Sequence, residues 1–91
     1  MIELIWNDSF RRIFRKWVKK HPDHRSAFVQ TITIFQQDPF HASLRTHSLS
    51  GKMGGLWAVR ITQKYRLVFL FCENDHTKIQ LIGIGNHKEV Y

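Results

Sequence analysis

The sequence is poor in the features that mark secreted and membrane-spanning proteins. It has one cysteine, Cys72, so no internal disulfide can form, and this fits a reducing cytoplasm. No apolar run approaches the roughly 18–20 residues that cross a bilayer, so we expect no membrane partner. The first residues carry neither a basic region nor a small-residue cleavage site, so we also expect no signal peptide. These shortages favour a cytoplasmic protein.

Metal-ligand spacing is also missing from the sequence. His21 and His24 flank Pro22, but no cysteine or acidic cluster completes a site with them, so no metal cofactor is expected. Cys72 stands at the end of an apolar run, and this position predicts a small buried side chain rather than a nucleophile.

Acidic residues are scarce relative to basic ones. Seven Asp and Glu stand against fourteen Lys and Arg, which leaves a net charge of +7 over 91 residues. Such an excess can serve solubility alone, but it also attracts phosphate backbones and speeds encounter with them. An acidic protein partner would satisfy the same charge. The length, without internal repeats, predicts one domain over residues 1–91.

Hydrophobic spacing predicts an α+β fold with the order β-α-α-β-β-β. Two amphipathic helices, separated at Pro22, form a hairpin that packs on one face of a small, mainly antiparallel sheet. Residues 39–55 are predicted to form a loop, and loops of this length are more often functional than idle. Strands are expected near residues 2–6, 56–62, 65–72 and 78–84.

Two arginines are predicted to be neighbours on the face of the sheet that the helices leave open. Placing the large apolar side chains of both strands on one face pairs Ile61 with Tyr65 across an odd-length turn at residues 62–64. The same register puts Arg60 opposite Arg66. Like charges opposed across strands destabilise a sheet, so the pair needs an anion between its members or an acid beside them. Alternatively, each arginine lies along the sheet with its head in water.

Three stretches carry a more specific pattern. They are His47-Ser-Leu-Ser-Gly-Lys-Met-Gly-Gly-Leu-Trp57, Arg60-Ile-Thr-Gln-Lys-Tyr-Arg-Leu-Val-Phe69 and Gly83-Ile-Gly-Asn-His-Lys-Glu-Val-Tyr91. Together with the short first strand and the basic helix hairpin, they resemble the RelE/ParE superfamily of toxins from type II toxin–antitoxin systems. The resemblance covers essentially the whole chain and is strongest to YoeB- and YafQ-like members.

The resemblance implies a ribosome-dependent endoribonuclease that cuts mRNA in the ribosomal A site without a metal. It also implies a cognate antitoxin, which the net charge suggests is acidic and which often binds DNA as an operon repressor. Two alternatives remain open. One is a ParE-like toxin that inhibits a DNA topoisomerase and has no nuclease site; the other is a non-catalytic RNA-binding module.

Carried over position by position, the resemblance gives five catalytic candidates: His47, Arg60, Arg66, His87 and Tyr91. Histidine can move protons near neutral pH, arginine can hold a phosphate with its fork of donors, and RNA supplies its own 2′-hydroxyl nucleophile. We therefore expect His47 as base, His87 as acid, the arginines as a phosphoryl clamp, and Tyr91 stacking on a base or holding His87. The reverse assignment of the two histidines stays open.

Two departures from the family pattern make the site a hybrid. Lys64 stands where YafQ-like toxins have an aspartate, and Lys88 stands where YoeB-like toxins have a tyrosine. The remaining RNA-binding candidates are basic or aromatic, namely Lys52, Lys64, Tyr65 and Lys88 near the motifs and Arg11, Arg15 and Lys19 on the first helix.

Overall fold

The computed structural model describes residues 1–49, 55–72 and 76–86. The elements are β1 (Glu3–Ile5), α1 (Asp8–Lys20), α2 (Arg25–Gln37), β2 (His47–Ser48), β3 (Trp57–Arg60), β4 (Tyr65–Phe71) and β5 (Lys78–Asn86). Short 3₁₀ turns at Pro22–His24 and Ala42–Leu44 precede α2 and β2. The predicted order is confirmed, with β2 as an additional strand inside the predicted loop. No helix in these ranges is both long and apolar enough to cross a bilayer.

The five strands form one mixed sheet in the order β1-β5-β4-β3-β2. The first strand pairs in parallel with the last, Glu3 opposite Lys78, and the other three pairings are antiparallel. The last strand therefore lies inside the sheet, where β1 covers only its first three residues, Lys78 to Gln80.

The sequence of α1 explains where the helix begins and which side it buries. The Asn7 side-chain oxygen accepts a hydrogen bond of 2.8 Å from the backbone N–H of Phe10, which satisfies a donor that the first turn leaves unpaired. Phe10 and Trp17, seven residues apart, are buried on one side. The cations cover the exposed side at Arg11, Arg12, Arg15, Lys16, Lys19 and Lys20.

The main core lies between the helices and one face of the sheet. Phe35 of α2 packs edge-on against Phe69 of β4 with their ring centroids 4.7 Å apart, and both side chains are fully buried. Alternate residues of β3, β4 and β5 supply the rest of the layer, including Val59, Leu67 and Leu81. A second, smaller cluster forms on the opposite face around Leu49, Ala58 and Val68. Apolar side chains thus fill one face and only part of the other.

The register between β3 and β4 is the one that the hydrophobic pattern predicted. Val59 pairs with Leu67 and Arg60 with Arg66, and the Ile61 N–H donates to the Tyr65 carbonyl across the turn. On the next strand, the register shifts after Val68, because Val68 faces Gly83 while Phe69 faces Leu81. This bulge keeps Ile84 packed with the main core while Ile82 joins the smaller cluster.

The burial expected for Cys72 is wrong. β4 ends at Phe71, so Cys72 lies just beyond the packed part of the strand, and its side chain is exposed. The apolar run before Cys72 led to a predicted strand that was one residue too long at this end.

Removing the cap of α1 should cost measurable stability. Replacing Asn7 with Ala removes the acceptor for the Phe10 N–H, so we expect a loss of about 1 kcal/mol in the free energy of unfolding by urea. Asn7→Asp keeps a side-chain acceptor at the same position and should unfold within a few tenths of a kcal/mol of the wild type. Equal losses in both variants would show that the cap bond does not stabilise the helix.

The arginine pair should destabilise the sheet in a salt-dependent way. Arg60→Gln removes one of two opposed positive charges, so we expect it to raise the free energy of unfolding by roughly 0.2–1 kcal/mol at low salt. The gain should vanish near 1 M salt, where screening acts within about 3 Å. Lys64→Gln removes a charge from the adjoining turn without removing the cross-strand pair, and should change stability less. A loss of stability on Arg60→Gln at low salt would show that an acid neutralises the pair.

Candidate functional site

The sheet brings three of the predicted catalytic residues onto its helix-free face. His47 of β2 pairs with Ala58 of β3, and Arg60 of β3 pairs with Arg66 of β4. Residues directly opposite each other share a face, and so do residues two apart on one strand. His47 therefore lies diagonal to Arg60 on the face that carries the arginine pair, a geometry that separates the two residues by roughly 7–8 Å, and their Cβ atoms by somewhat less. We call this triangle of His47, Arg60 and Arg66 the open-face site.

The Arg66 side chain is held in place by the turn that precedes it. Its Nη1 donates to the backbone carbonyls of Thr62 at 2.7 Å, Gln63 at 3.1 Å and Tyr65 at 3.1 Å. All three contacts use one nitrogen. The other edge of the guanidinium, Nε and Nη2, makes no hydrogen bond to any residue in the described ranges. That edge has the two parallel N–H groups that match the oxygens of a phosphate.

Arg60 is anchored through its backbone rather than its side chain. The Thr31 hydroxyl of α2, which donates to the Ala27 carbonyl at 2.9 Å, also lies 3.5 Å from the Arg60 carbonyl. Thr31 is buried, and its contact ties the helix layer to the end of β3. Across residues 1–49, 55–72 and 76–86, no carboxylate forms an ion pair with either arginine of the open-face site. The opposed charges therefore lack an acidic neighbour in that part of the chain.

His47 presents a defined ring nitrogen. Its Nδ1 lies 2.8 Å from the carbonyl oxygen of Arg45. A carbonyl can only accept, so Nδ1 carries the proton of the neutral ring and Nε2 carries none. Arg45 supports this contact from the left-handed backbone region, with φ 51° and ψ 43°, which is uncommon for a residue with a side chain. This backbone conformation places the Arg45 carbonyl within hydrogen-bond distance of the imidazole.

Glycines keep part of the open face free of side chains. In the sheet, Gly85 stands opposite Arg66 and Gly83 opposite Val68. A Cβ added at Gly83 would meet nothing within 4 Å, so there is open space above that position.

The other predicted site residues lie elsewhere. Tyr65 is buried in the main core, and its hydroxyl lies 2.9 Å from Nε2 of His21, so its ring is not presented on the open face. Lys64 is exposed in the adjoining turn, with its ammonium 5.5 Å from the centre of the Tyr65 ring. The basic residues Arg11, Arg15 and Lys19 are exposed on α1, on the helix side of the molecule.

Four predicted residues lie outside the described ranges: Lys52, His87, Lys88 and Tyr91. Sequence reasoning missed the contact between His21 and Tyr65, because the two residues are 44 positions apart. The alternation of β4 could have indicated such a contact, because it puts Tyr65 on the apolar side of the strand. A buried tyrosine needs a hydrogen-bond partner for its hydroxyl. Among the described residues, no three His, Cys, Asp or Glu side chains gather into a metal site.

Comparison with known proteins identifies the fold. No protein-family model matches the sequence, and no curated protein matches it. Solved structures do match. A YoeB/ParE toxin from Agrobacterium tumefaciens superposes with a TM-score of 0.74 at 22% identity, over 94% of this chain and 99% of that one. YafQ from E. coli superposes with a TM-score of 0.75 at 12% identity, over 100% of this chain and 99% of YafQ.

A third match is a toxin bound to its antitoxin. The structure of a heterotetrameric YoeB–YefM toxin–antitoxin complex from Staphylococcus aureus matches with a TM-score of 0.70 at 10% identity, over 96% of this chain and 98% of that one. These identities are low, while the coverage is nearly complete on both sides. The chain therefore has the whole fold of the YoeB/ParE-type and YafQ toxins, the RelE/ParE-like arrangement of a helix hairpin on a mixed five-stranded sheet.

Proposed function

We propose that this chain is the toxin of a type II toxin–antitoxin pair and cleaves mRNA on the ribosome without a metal. The supporting observation is the open-face site, where an imidazole lies diagonal to two opposed guanidinium groups that have no acidic partner in the described ranges. A phosphodiester is the ligand class that matches this charge and donor geometry. Its fold is shared with YoeB/ParE-type and YafQ toxins, which supports the toxin assignment.

The proposed reaction uses the nucleophile that RNA carries. His47 Nε2 takes the proton of the 2′-hydroxyl, and the 2′-oxygen forms a bond to the adjacent phosphorus. The bond from phosphorus to the 5′-oxygen then breaks, and an acid delivers a proton to the leaving oxygen. The product is a 2′,3′-cyclic phosphate and a 5′-hydroxyl, so the phosphoryl group is neither oxidised nor reduced. DNA lacks the 2′-hydroxyl and would not be cut.

Each group in the open-face site has a distinct role in this proposal. The Nδ1 contact to the Arg45 carbonyl fixes the tautomer that suits His47 as the base. Arg66 offers its free edge to the phosphoryl oxygens from a guanidinium already held by three carbonyls. Because it is pre-oriented, it stabilises the developing charge with little reorganisation. Arg60 adds the second charge. His87 as the acid and Tyr91 as its support rest on the family resemblance.

The basic side of α1 forms a second surface for RNA. Arg11, Arg15 and Lys19 are spaced four residues apart and therefore form one row along the helix. This row lies on the helix side of the molecule, away from the open-face site. We assign it to ribosomal RNA, while the open face takes mRNA. Lys52 and Lys88 belong to the RNA-binding set on the resemblance alone.

An acidic antitoxin is the proposed inhibitor. A toxic domain needs one, and the net charge of +7 suits an acidic chain. The YoeB–YefM structures show a toxin of the same fold in complex with an antitoxin. The competing proposal, a ParE-like topoisomerase inhibitor, is supported by the YoeB/ParE description of one structural neighbour. Inhibition of a topoisomerase without RNA cleavage would select it.

Removing a group of the open-face site should abolish most cleavage. We expect His47→Ala and Arg66→Ala each to lower the rate of ribosome-dependent mRNA cleavage by about 10²-fold or more, because each removes a group that acts in the transition state. The assay follows a defined mRNA on purified ribosomes. A substrate with one 2′-deoxynucleotide at the cleaved position should stay intact.

His41→Asn is the matched control for these variants. It changes another histidine of the same loop, whose ring accepts from the Ser43 N–H, to a residue that can make the same cap. Cleavage should stay within about twofold of the wild type, and all three variants should keep a cooperative unfolding transition. Full activity in His47→Ala and Arg66→Ala together would refute the proposed site. Cleavage of free RNA at the same rate would refute the ribosome dependence.

A further inference from the structure

A cationic cleft opens on the helix side of the sheet, between α1 and the ends of β4 and β5. Its volume is about 290 Å³, and its polar lining consists of Lys16, Lys20, His21 and Tyr65. Trp17 and two isoleucines form the apolar part of the wall, and Gly85 contributes backbone. No carboxylate is among the described residues that line it. The cleft is therefore suited to an anion.

The two lysines flank the cleft from one row of α1. Lys16 and Lys20 are four residues apart, so their side chains lie one above the other on the helix surface. They continue from Arg12 and form a row separate from Arg11, Arg15 and Lys19. Both lysines are exposed, and neither forms an ion pair with an acid in the described ranges. Two unpaired ammonium groups thus border one small volume.

His21 adds a donor from the base of the cleft. Its Nε2 is 2.9 Å from the Tyr65 hydroxyl, and its ring stacks against His24 with centroids 5.4 Å apart. When the tyrosine donates to Nε2, the proton of the ring resides on Nδ1. Nδ1 makes no hydrogen bond within the described ranges and can donate to a ligand. The charged and titratable groups around this ring are Lys16, Lys20, Asp23, His24 and Tyr65.

The carbonyl end of α1 opposes an anion here, but only weakly. α1 ends at Lys20, so its unpaired carbonyl groups lie near the cleft. They carry about half of one negative charge, whereas the two ammonium groups carry two full positive charges. The cations therefore decide the sign of the local field.

The cleft and the arginine pair lie on opposite faces of the sheet at the same point along its strands. Gly85 lines the cleft and also stands opposite Arg66 in the register. β1 pairs with only the first three residues of β5, so it does not cover the edge of β5 beside Gly85. Only the single layer of the sheet separates the two sites. One RNA strand that passes from one face of the sheet to the other can contact both sites.

We infer that the cleft binds a further phosphate of the same RNA strand whose cleaved linkage is held by Arg60 and Arg66. This inference rests on the proposed function, since it takes the substrate to be RNA. Lys16 and Lys20 supply charge, and His21 Nδ1 supplies a hydrogen bond. RNA is favoured over an acidic peptide because its phosphates repeat along one chain, which suits two cationic sites on either side of one strand. The cleft thereby extends the RNA contact beyond the open-face site.

The first test measures anion binding without any cleavage. Inorganic phosphate is titrated at neutral pH and constant ionic strength into the full chain, and the ring signals of His21 and Tyr65 are followed by NMR. We expect saturable shifts of both signals, and at least a tenfold weaker apparent affinity in the Lys16→Ala/Lys20→Ala double variant. Arg25→Ala removes an exposed charge from the start of α2 and does not line the cleft, so it should keep the wild-type affinity. Linear, non-saturating shifts in the wild type would overturn the inference.

The second test asks whether the anion belongs to RNA. Binding of a 2′-O-methyl RNA oligonucleotide, which cannot be cleaved, is measured over a range of salt concentrations. Each lost phosphate contact should lower the slope of log affinity against log salt by about 0.7, so a smaller slope is expected for the double variant. An unchanged slope, together with displacement of phosphate by an acidic peptide, would assign the cleft to a protein and refute the inference.

The two tests separate this inference from the proposed nuclease. Neither test depends on catalysis, because the first uses inorganic phosphate and the second uses an RNA that cannot be cleaved. If the double variant shows the expected smaller salt slope but the wild type does not cleave mRNA, the nuclease proposal is refuted and the inference about the cleft stands. If the wild type cleaves mRNA but the double variant keeps the wild-type salt slope, the inference about the cleft is refuted and the nuclease proposal stands.

Discussion

The pairing of β3 with β4 is the constraint on which the rest of this structure depends. Val59 and Leu67 must face the helices to fill the main core, and side chains alternate strictly along a strand. The turn between the strands therefore brings Ile61 to the Tyr65 carbonyl, and Arg60 must face Arg66. A slip by one residue would bury the arginines and expose the core. Apolar burial, which dominates the free energy of folding, thereby holds two like charges together.

The cost of that pairing is limited by the way each arginine is anchored. Arg66 folds back so that one nitrogen contacts three turn carbonyls, which offsets part of the repulsion. Arg60 is fixed through its backbone by Thr31 from the helix layer. The Arg66 guanidinium is thus oriented by the scaffold before any ligand arrives, while Arg60 is fixed only at its backbone. Such pre-orientation is what electrostatic stabilisation of a transition state requires, because the charges need not move during the reaction.

The positive charge of the molecule lies on two surfaces, one on each side of the sheet. The open-face site combines two guanidinium groups with one imidazole whose tautomer is set by the Arg45 carbonyl. On the other side of the sheet, α1 presents two rows of cations, one of which borders the cleft at His21 and Tyr65. Tyr65 and Arg66 are consecutive, so strand alternation turns their side chains to opposite faces. The single strand β4 thereby contributes a residue to each site.

The amino-acid sequence alone determined the order of the elements and the register of Arg60 with Arg66. These features follow from periodicity within one or two neighbouring elements, which composition and spacing encode directly. The burial of Cys72 was predicted wrongly for a related reason, since a run of apolar residues does not say where pairing ends. The short strand β2 escaped prediction because two residues have no period.

Only the tertiary structure decided which distant groups meet. The pairing of β2 with β3 brings His47 beside Arg60, and the packing of α1 brings His21 to Tyr65. The parallel pairing of β1 with β5 leaves the second half of β5 without that neighbour. Periodicity shows which side of an element is buried but not which remote element covers it. That choice is made by the collective packing of side chains from the whole chain, because no local stretch contains both partners.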